Sequence, residues 1–187
     1  GEKLFELLLT KAQIEHILTV LRKHQIPMVL EGPNYIYVDE KDFKDDPYVI
    51  YLRNELGENL KSITGTAQYE VNKLSAELGN ADVELVRKEL GTEFDMIVHE
   101  PDGILEIGQA GHSKASGIER LCASLGIAKE DTYAFGDSAN DVEMLEFVAH
   151  GIAMGNGTDV AKNAAEFITT DIHKDGIWNG LKHYGLI

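Results

Sequence analysis

The hydrophobic pattern of the first half of the chain predicts an α+β unit. After Thr10, a residue type that favours helix N-termini, apolar residues recur at helical spacing as far as Leu21. Gly32-Pro33-Asn34 then separates two short β-rich runs, which is typical of a hairpin. The pattern predicts strands at 28–30, 35–38, 69–74, 94–99 and 104–107, and further helices at 48–56 and 81–90. This mixed order of helices and strand pairs indicates mostly antiparallel pairing.

The pattern changes near Gly108, after which short strands alternate with helices. Strands are predicted at 132–135, 151–154 and 167–169, and helices at 113–125, at 140–147, from 158 onward and at 176–184. The expected core face of the first of these helices consists of Ile118, Leu121 and Leu125. The expected core anchor of the last helix is Trp178. Such alternation predicts a parallel sheet, which binds ligands at the carboxyl ends of its strands.

Composition narrows the classes of function. The chain has 187 residues and a formal net charge of −15, so binding of nucleic acid through a broad basic patch is not expected. Cys122 is the only cysteine, which excludes an internal disulfide and a cysteine-based zinc site and fits a reducing cytoplasm. No apolar run approaches the roughly 20 residues of a membrane span, and we expect a cytoplasmic protein without membrane contact.

The loop after the predicted strand 132–135 concentrates oxygen ligands. It reads GDSAND from Gly136 to Asp141, so Asp137, Asn140 and Asp141 lie close together at the carboxyl end of a strand. Mg²⁺ prefers such ligands and commonly takes one or two carboxylates, with water and phosphate completing its shell. The same acids also suit a helix N-cap and first turn, and residue types alone leave that alternative open. An EF-hand is excluded, because Val148 stands where its twelfth-position Glu should be.

Several segments resemble the haloacid dehalogenase-like phosphatases, especially the Cof-type hydrolases. The run GDSANDVEML from Gly136 resembles their fourth motif, and Gly111-His112-Ser113-Lys114 resembles their third, a lysine that opens a helix. The run IAMGNG from Ile152 resembles the continuation of such chains; its Gly155-x-Gly157 lacks the third glycine of a dinucleotide loop. The resemblance covers essentially all 187 residues. It implies an α/β fold, with an α+β cap of type IIB at 1–108 and the distal half of a Rossmannoid core sheet at 109–187.

The resemblance also implies roles for individual residues. Asp137 is the expected direct Mg²⁺ ligand, and Asp141 is expected with it at the metal, orienting the metal shell or the loop. Asn140 is expected to contact the phosphoryl group of the substrate. Lys114 is expected to neutralise charge on the nucleophile and the phosphate, for which a compact ammonium is suited, although most lysines are simply solvated. His112 lies beside Lys114 and could border the same site.

The implied reaction is Mg²⁺-dependent hydrolysis of a small phosphorylated metabolite through an aspartyl-phosphate. The family places its aspartate nucleophile in an Asp-x-Asp-Gly motif before the cap, and this chain begins at the cap, so we expect a fragment that is inactive alone. Glu100-Pro101-Asp102-Gly103 imitates that motif but ends eleven residues before Lys114, and it is better interpreted as a hairpin turn. Thr64-Gly65 imitates the second motif from within the apparent cap.

A second hypothesis is that the chain is a non-catalytic module that binds a ligand or self-associates. In the family sheet the nucleophile strand lies beside the strand 133–135. Without that neighbour this strand becomes an edge, which favours a homo-oligomer through strand pairing.

Overall fold

A computed structural model describes residues 3–63, 69–99 and 103–187. The chain divides into two compact units, one ending at Ala110 and the other running from Gly111 to Ile187, so the division lies two residues beyond the expected one at 108. Within the described ranges, no helix combines the length and the apolar character needed to cross a bilayer.

Unit 1 is built around a six-stranded sheet with the order β3-β2-β1-β4-β6-β5. Its elements are α1 (Lys11–Lys23), β1 (Met28–Glu31), β2 (Ile36–Val38), α2 (Glu40–Phe43), α3 (Pro47–Leu56), β3 (Leu60–Ser62), β4 (Lys73–Glu77), α4 (Val83–Leu90), β5 (Phe94–His99) and β6 (Ile104–Gln109). Neighbouring strands are antiparallel, as expected, except that β2 and β3 are parallel.

Most of the core of unit 1 lies between one face of this sheet and its helices, although Val29 and Val38 on the other face are buried as well. Thr10 starts α1 with a capping box in which Gln13 is the reciprocal partner, which satisfies two helix N-terminal N–H groups. The helix then buries one apolar stripe, Ile14, Ile17, Leu18 and Leu21. Paired positions on four strands supply the facing layer of buried side chains, Leu30, Leu74, Ile107 and Met96.

Two strands of unit 1 differ from the sequence-based expectation. The strand expected at 69–74 runs instead over Lys73–Glu77, because its pairing with β1 aligns Ala76 with Met28 and Leu74 with Leu30. The three-residue strand β3 was not predicted. Its pairing with β2 is non-local, and such a short run carries no periodic signal.

Unit 2 contains a three-stranded parallel sheet with the order β7-β8-β9, which confirms the expected α/β class. Its helices and strands are α5 (Lys114–Leu125), β7 (Tyr133–Gly136), α6 (Val142–Phe147), β8 (His150–Ala153), α7 (Asp159–Ala164), β9 (Phe167–Ile168) and α8 (Gly176–His183). In the described sheet β7 has one neighbour, β8, so its other side is an edge.

Two expectations about the core of unit 2 are wrong. The α5 helix buries none of its residues, and Leu121 and Leu125 are 46% and 56% exposed. Trp178 is 51% exposed and lies under the Lys182 ammonium, with Nζ 4.7 Å from the ring centroid. Gly180 faces the sheet instead, because a Cβ there would lie 2.5 Å from the Phe135 ring. That close approach leaves no room for a large anchor on this face of α8.

Candidate functional site

The candidate site is organised around the buried carboxylate of Asp141. Its Oδ1 accepts a hydrogen bond from Lys114 Nζ at 2.5 Å. Its Oδ2 accepts from the backbone N–H groups of Asp137 at 2.9 Å and Ser138 at 3.2 Å. The Asp141 side chain is only 6% exposed, so these donors replace the water that burial removes.

Gly136 makes this arrangement possible. It is the last residue of β7, and a Cβ placed on it would lie 2.6 Å from Asp141 Cβ and 3.1 Å from Leu145 Cδ1. The absence of a side chain therefore lets Asp141 fold back over the end of the strand and bind the amides of its own loop.

The main chain of Asp137 is fixed from both sides. Its N–H donates to Asp141, and its carbonyl oxygen accepts from Thr158 N–H at 2.8 Å. Gly157 permits this approach, since a Cβ there would lie 3.1 Å from Asp137 Cα. Asp137 is exposed, and no described side chain donates a hydrogen bond to its carboxylate. The loop thus holds one unengaged carboxylate in a fixed place.

The Asn140 side chain is oriented by Ser138. Ser138 Oγ donates to Asn140 Oδ1 at 2.6 Å, within the short 3₁₀ turn Ala139–Asp141 that precedes α6. The carbonyl end of the Asn140 amide is therefore occupied. Its NH₂ group makes no hydrogen bond within the described residues and can donate to an anion.

Lys114 reaches the loop from the start of α5. Ser113 caps this helix in a capping box with Ser116, which fixes the backbone of the first turn. The Lys114 side chain is 49% exposed, so its ammonium contacts Asp141 while part of it stays open to a ligand. The structure thus brings Lys114 to Asp141, in the loop that also carries Asp137 and Asn140.

Electrostatics favour an ionised Asp141. Burial raises the pKa of this carboxyl, but the Lys114 ammonium and the two loop N–H groups outweigh burial and hold the pKa below its ordinary value of 3.8. At neutral pH the pair is therefore a carboxylate and an ammonium, and its net charge is zero.

A pocket of about 390 Å³ opens beside these residues. Lys114, Asp137 and Asp141 line it together with Asn156 and with apolar side chains of the 154–177 segment.

Asn156 was missed as a site residue, although it follows β8 in the Gly155–Gly157 turn. The relevant signal was its position at the carboxyl end of the neighbouring parallel strand. Its Oδ1 accepts from Ile172 N–H at 2.9 Å. Neither Asn140 nor His112 is among the residues that line this pocket.

The donor set fits a magnesium ion only in part. In the described ranges no three His, Cys, Asp or Glu side chains cluster as a metal site. Both oxygens of Asp141 already accept hydrogen bonds from protein donors, whereas no described side chain donates to the carboxylate of Asp137, so Asp137 is the more available ligand. Mg²⁺ can be held by one or two carboxylates when water and substrate phosphate complete its shell, so Asp137 is compatible with that mode of binding.

The two sequence segments that imitate the missing motifs lie outside the described residues. These are Thr64-Gly65 and the first three residues of Glu100–Gly103. The structure therefore gives no test of either.

Comparisons with known proteins agree on one family. A family model for haloacid dehalogenase-like hydrolases matches residues 1–181. The phosphatase YitU of Bacillus subtilis, which acts on 5-amino-6-(5-phospho-D-ribitylamino)uracil, is 36% identical over 138 residues, or 71% of this chain and 47% of its own. A phosphoglycolate phosphatase of Halobacterium salinarum is 29% identical over 172 residues, or 81% of this chain and 76% of its own.

A crystal structure of a hypothetical protein from Geobacillus kaustophilus has the same fold. It superimposes with a TM-score of 0.81 and 30% identity, covering 100% of this chain and 72% of that one. The chain thus spans about half the length of YitU and nearly three quarters of the Geobacillus protein.

Replacing Gly136 tests the fold-back of Asp141. We expect Gly136→Ala to lower the free energy of unfolding by about 1–3 kcal/mol, because its Cβ overlaps Asp141. Gly117→Ala is the matched control, since a Cβ there meets nothing within 4 Å and the site is inside α5. It should raise stability by about 0.5–1 kcal/mol. Urea unfolding followed by circular dichroism measures both, and equal midpoints would contradict the interpretation.

The ion pair predicts a specific pH dependence. Because the pKa of Asp141 is lower in the folded state than in the unfolded state, its contribution to stability is present at neutral pH and is lost as pH falls through the folded-state pKa. Lys114→Met should raise that pKa and move the acid loss of stability to higher pH. Carboxyl ¹³C shifts measured against pH report it directly. Lys162→Met on α7 should leave the Asp141 titration unchanged, and an unchanged titration in Lys114→Met would refute the assignment.

Proposed function

The chain belongs to the haloacid dehalogenase-like hydrolases, and from that premise we propose that it is part of a phosphatase that hydrolyses small phosphorylated metabolites with the help of Mg²⁺. The observation that carries the proposal is the pocket of unit 2, where the Lys114–Asp141 pair and the unengaged Asp137 carboxylate meet. The named relatives act on different phosphorylated compounds, which supports the reaction class and leaves the individual substrate open.

Each side chain of the site has a distinct proposed task. The exposed part of the Lys114 ammonium attracts the phosphoryl oxygens and donates hydrogen bonds to them. The Asn140 NH₂ group donates a further bond, with its direction set by Ser138. Asp141 is a positioning residue, because it holds both Lys114 and the loop of Asp137. Asp137 would hold the Mg²⁺ ion, which supplies positive charge that offsets the charge developing on the phosphoryl oxygens.

The proposed chemistry needs a carboxylate nucleophile. Its oxygen attacks phosphorus as the bond to the leaving alcohol breaks, and water then hydrolyses the acyl phosphate to carboxylate and inorganic phosphate. No Asp-x-Asp sequence occurs in the 187 residues. We therefore propose that the nucleophile comes from polypeptide other than these residues and that this chain alone binds phosphate without turning over esters.

Binding and turnover separate the parts of this proposal. The 187-residue chain should bind inorganic phosphate with Mg²⁺ in calorimetry, and Lys114→Met or Asp137→Asn should weaken that binding at least about tenfold, as expected for loss of a charge-assisted contact. Asp159→Asn, an exposed acid of α7, is the control and should bind like the parent chain.

The same chain should not hydrolyse p-nitrophenyl phosphate. Turnover that is abolished by Glu100→Gln would show that Glu100 is the nucleophile and would overturn the assignment to another polypeptide. Absence of any phosphate binding would instead contradict the role given to the pocket.

The exposed face of unit 2 supports self-association as a second function. The α5 helix presents Leu121 and Leu125 to solvent, and Ile127 just beyond it is 42% exposed. The β7 strand has an unpaired edge in the described sheet. Apolar side chains and an open strand edge are both features that a second copy of the chain could cover.

We expect a concentration-dependent dimer in sedimentation velocity. Leu125→Glu should shift the equilibrium to monomer, because it places a charge in the apolar face. Val160→Glu on α7 is the matched control, since Val160 is 52% exposed but lies on another helix, and it should not change the equilibrium. A parent chain that stays monomeric at every concentration would contradict self-association.

A further inference from the structure

Asn156 follows β8 and is held against the loop that carries Asp137. Strand β8 pairs with β7 in parallel, so the segments that follow the two strands meet at one edge of the sheet. A Cβ on Gly157 would lie 3.0 Å from the Asp137 carbonyl oxygen, and Thr158 N–H donates to that same oxygen at 2.8 Å. The backbone on the far side of Asn156 is also fixed, because Gly155 N–H donates to a carbonyl of the 170–172 segment.

The side-chain amide of Asn156 has a defined orientation. Its Oδ1 accepts a hydrogen bond from Ile172 N–H at 2.9 Å, and the NH₂ end of an amide could not accept that bond. The NH₂ group makes no hydrogen bond within the described ranges of the chain. Asn156 is exposed and lines the pocket of unit 2, so its donor end is available to a ligand there.

The lining of this pocket is poor in donors for an anion. Four apolar side chains and Gly136 make up most of the lining, and the charged members are one lysine and two aspartates. Among the described lining side chains, N–H donors occur only on Lys114 and Asn156. A phosphate ion is an acceptor of hydrogen bonds, and the Asp137 carboxylate repels it. A neutral donor beside the Lys114 ammonium therefore has a clear use.

We propose that Asn156 is a further substrate-binding residue, whose NH₂ group donates a hydrogen bond to a phosphoryl oxygen of the ligand in this pocket. The inference rests on the proposed phosphatase function and adds a residue to its site. The bond to Ile172 N–H orients the donor before the ligand arrives, which lowers the entropy lost on binding. A purely structural role, in contrast, needs only the carbonyl oxygen of the amide.

Asn156→Asp separates the two ends of the amide. The carboxylate keeps an oxygen for Ile172 N–H but replaces the donor by a negative charge. In calorimetry on the full 187-residue chain, phosphate binding at saturating Mg²⁺ should weaken at least about tenfold. Mg²⁺ without phosphate should bind at least about threefold more tightly, because a second free carboxylate joins Asp137. Asn163→Asp on α7 adds the same charge outside the pocket lining and should change neither constant.

Opposite shifts of the two constants would support the proposal, since a purely structural role predicts neither. Phosphate binding like that of the parent chain would overturn it. Weaker binding of both ligands would also overturn it, because it would show that Asn156 acts only by holding the loop.

The side-chain NH₂ signals of Asn156 give a second test on the parent chain, which decides even if the variant does not fold. In ¹H–¹⁵N spectra at saturating Mg²⁺, phosphate should shift these signals with the Kd found by calorimetry, while those of the exposed Asn163 stay in place. Unmoved Asn156 signals with intact phosphate binding would overturn the role of Asn156 and leave the proposed function standing. A parent chain that binds no phosphate would overturn both.

Discussion

The buried Asp141 carboxylate is the interaction on which the candidate site depends. A carboxylate removed from water must recover its lost hydration, and this one does so through one ammonium and two backbone N–H groups. The same contacts fix the loop of Asp137 and bring α5 to the end of β7. Removing any one of these donors would leave the Asp141 carboxylate buried with too few hydrogen bonds. The site therefore behaves as one unit. Gly136 belongs to that unit although it has no functional group, because it provides the space that Asp141 occupies.

The two units are stabilised differently. Unit 1 has a continuous apolar cluster that its sheet and helices share. Unit 2 buries small and medium side chains around β8, such as Ile152 and Ala153, while the whole of α5 stays without a buried residue. A helix gains most of its stability in a protein from packing its apolar face, so α5 is the element of unit 2 with the most to gain from a further polypeptide. The contact between Lys114 and Asp141 connects it to the loop after β7.

Sequence patterns predicted most helices and strands, because their periodicity reflects which face is buried. They could not show what covers that face. The apolar stripe of α5 was correctly identified as a stripe, but its predicted burial assumed a partner that the described chain does not provide. Trp178 shows the same limit: its type favours burial, yet the short distance between α8 and Phe135 admits only Gly180. For the candidate site, the rule that ligands bind at the carboxyl ends of parallel strands selected the loop that the structure places beside a pocket. It could not reveal that Asp141 faces inward and Asp137 outward, since that depends on the fold-back over Gly136.

Asp39 and Asp141 show that two buried carboxylates can differ in how completely they are hydrogen-bonded. Both are buried acids that bind a basic side chain through one oxygen. In Asp141 the second oxygen accepts from the amides of its own loop, so both oxygens hold other residues in place. In Asp39 the second oxygen has no partner among the described residues, so burial has removed its water without a replacement donor from the described ranges of the chain.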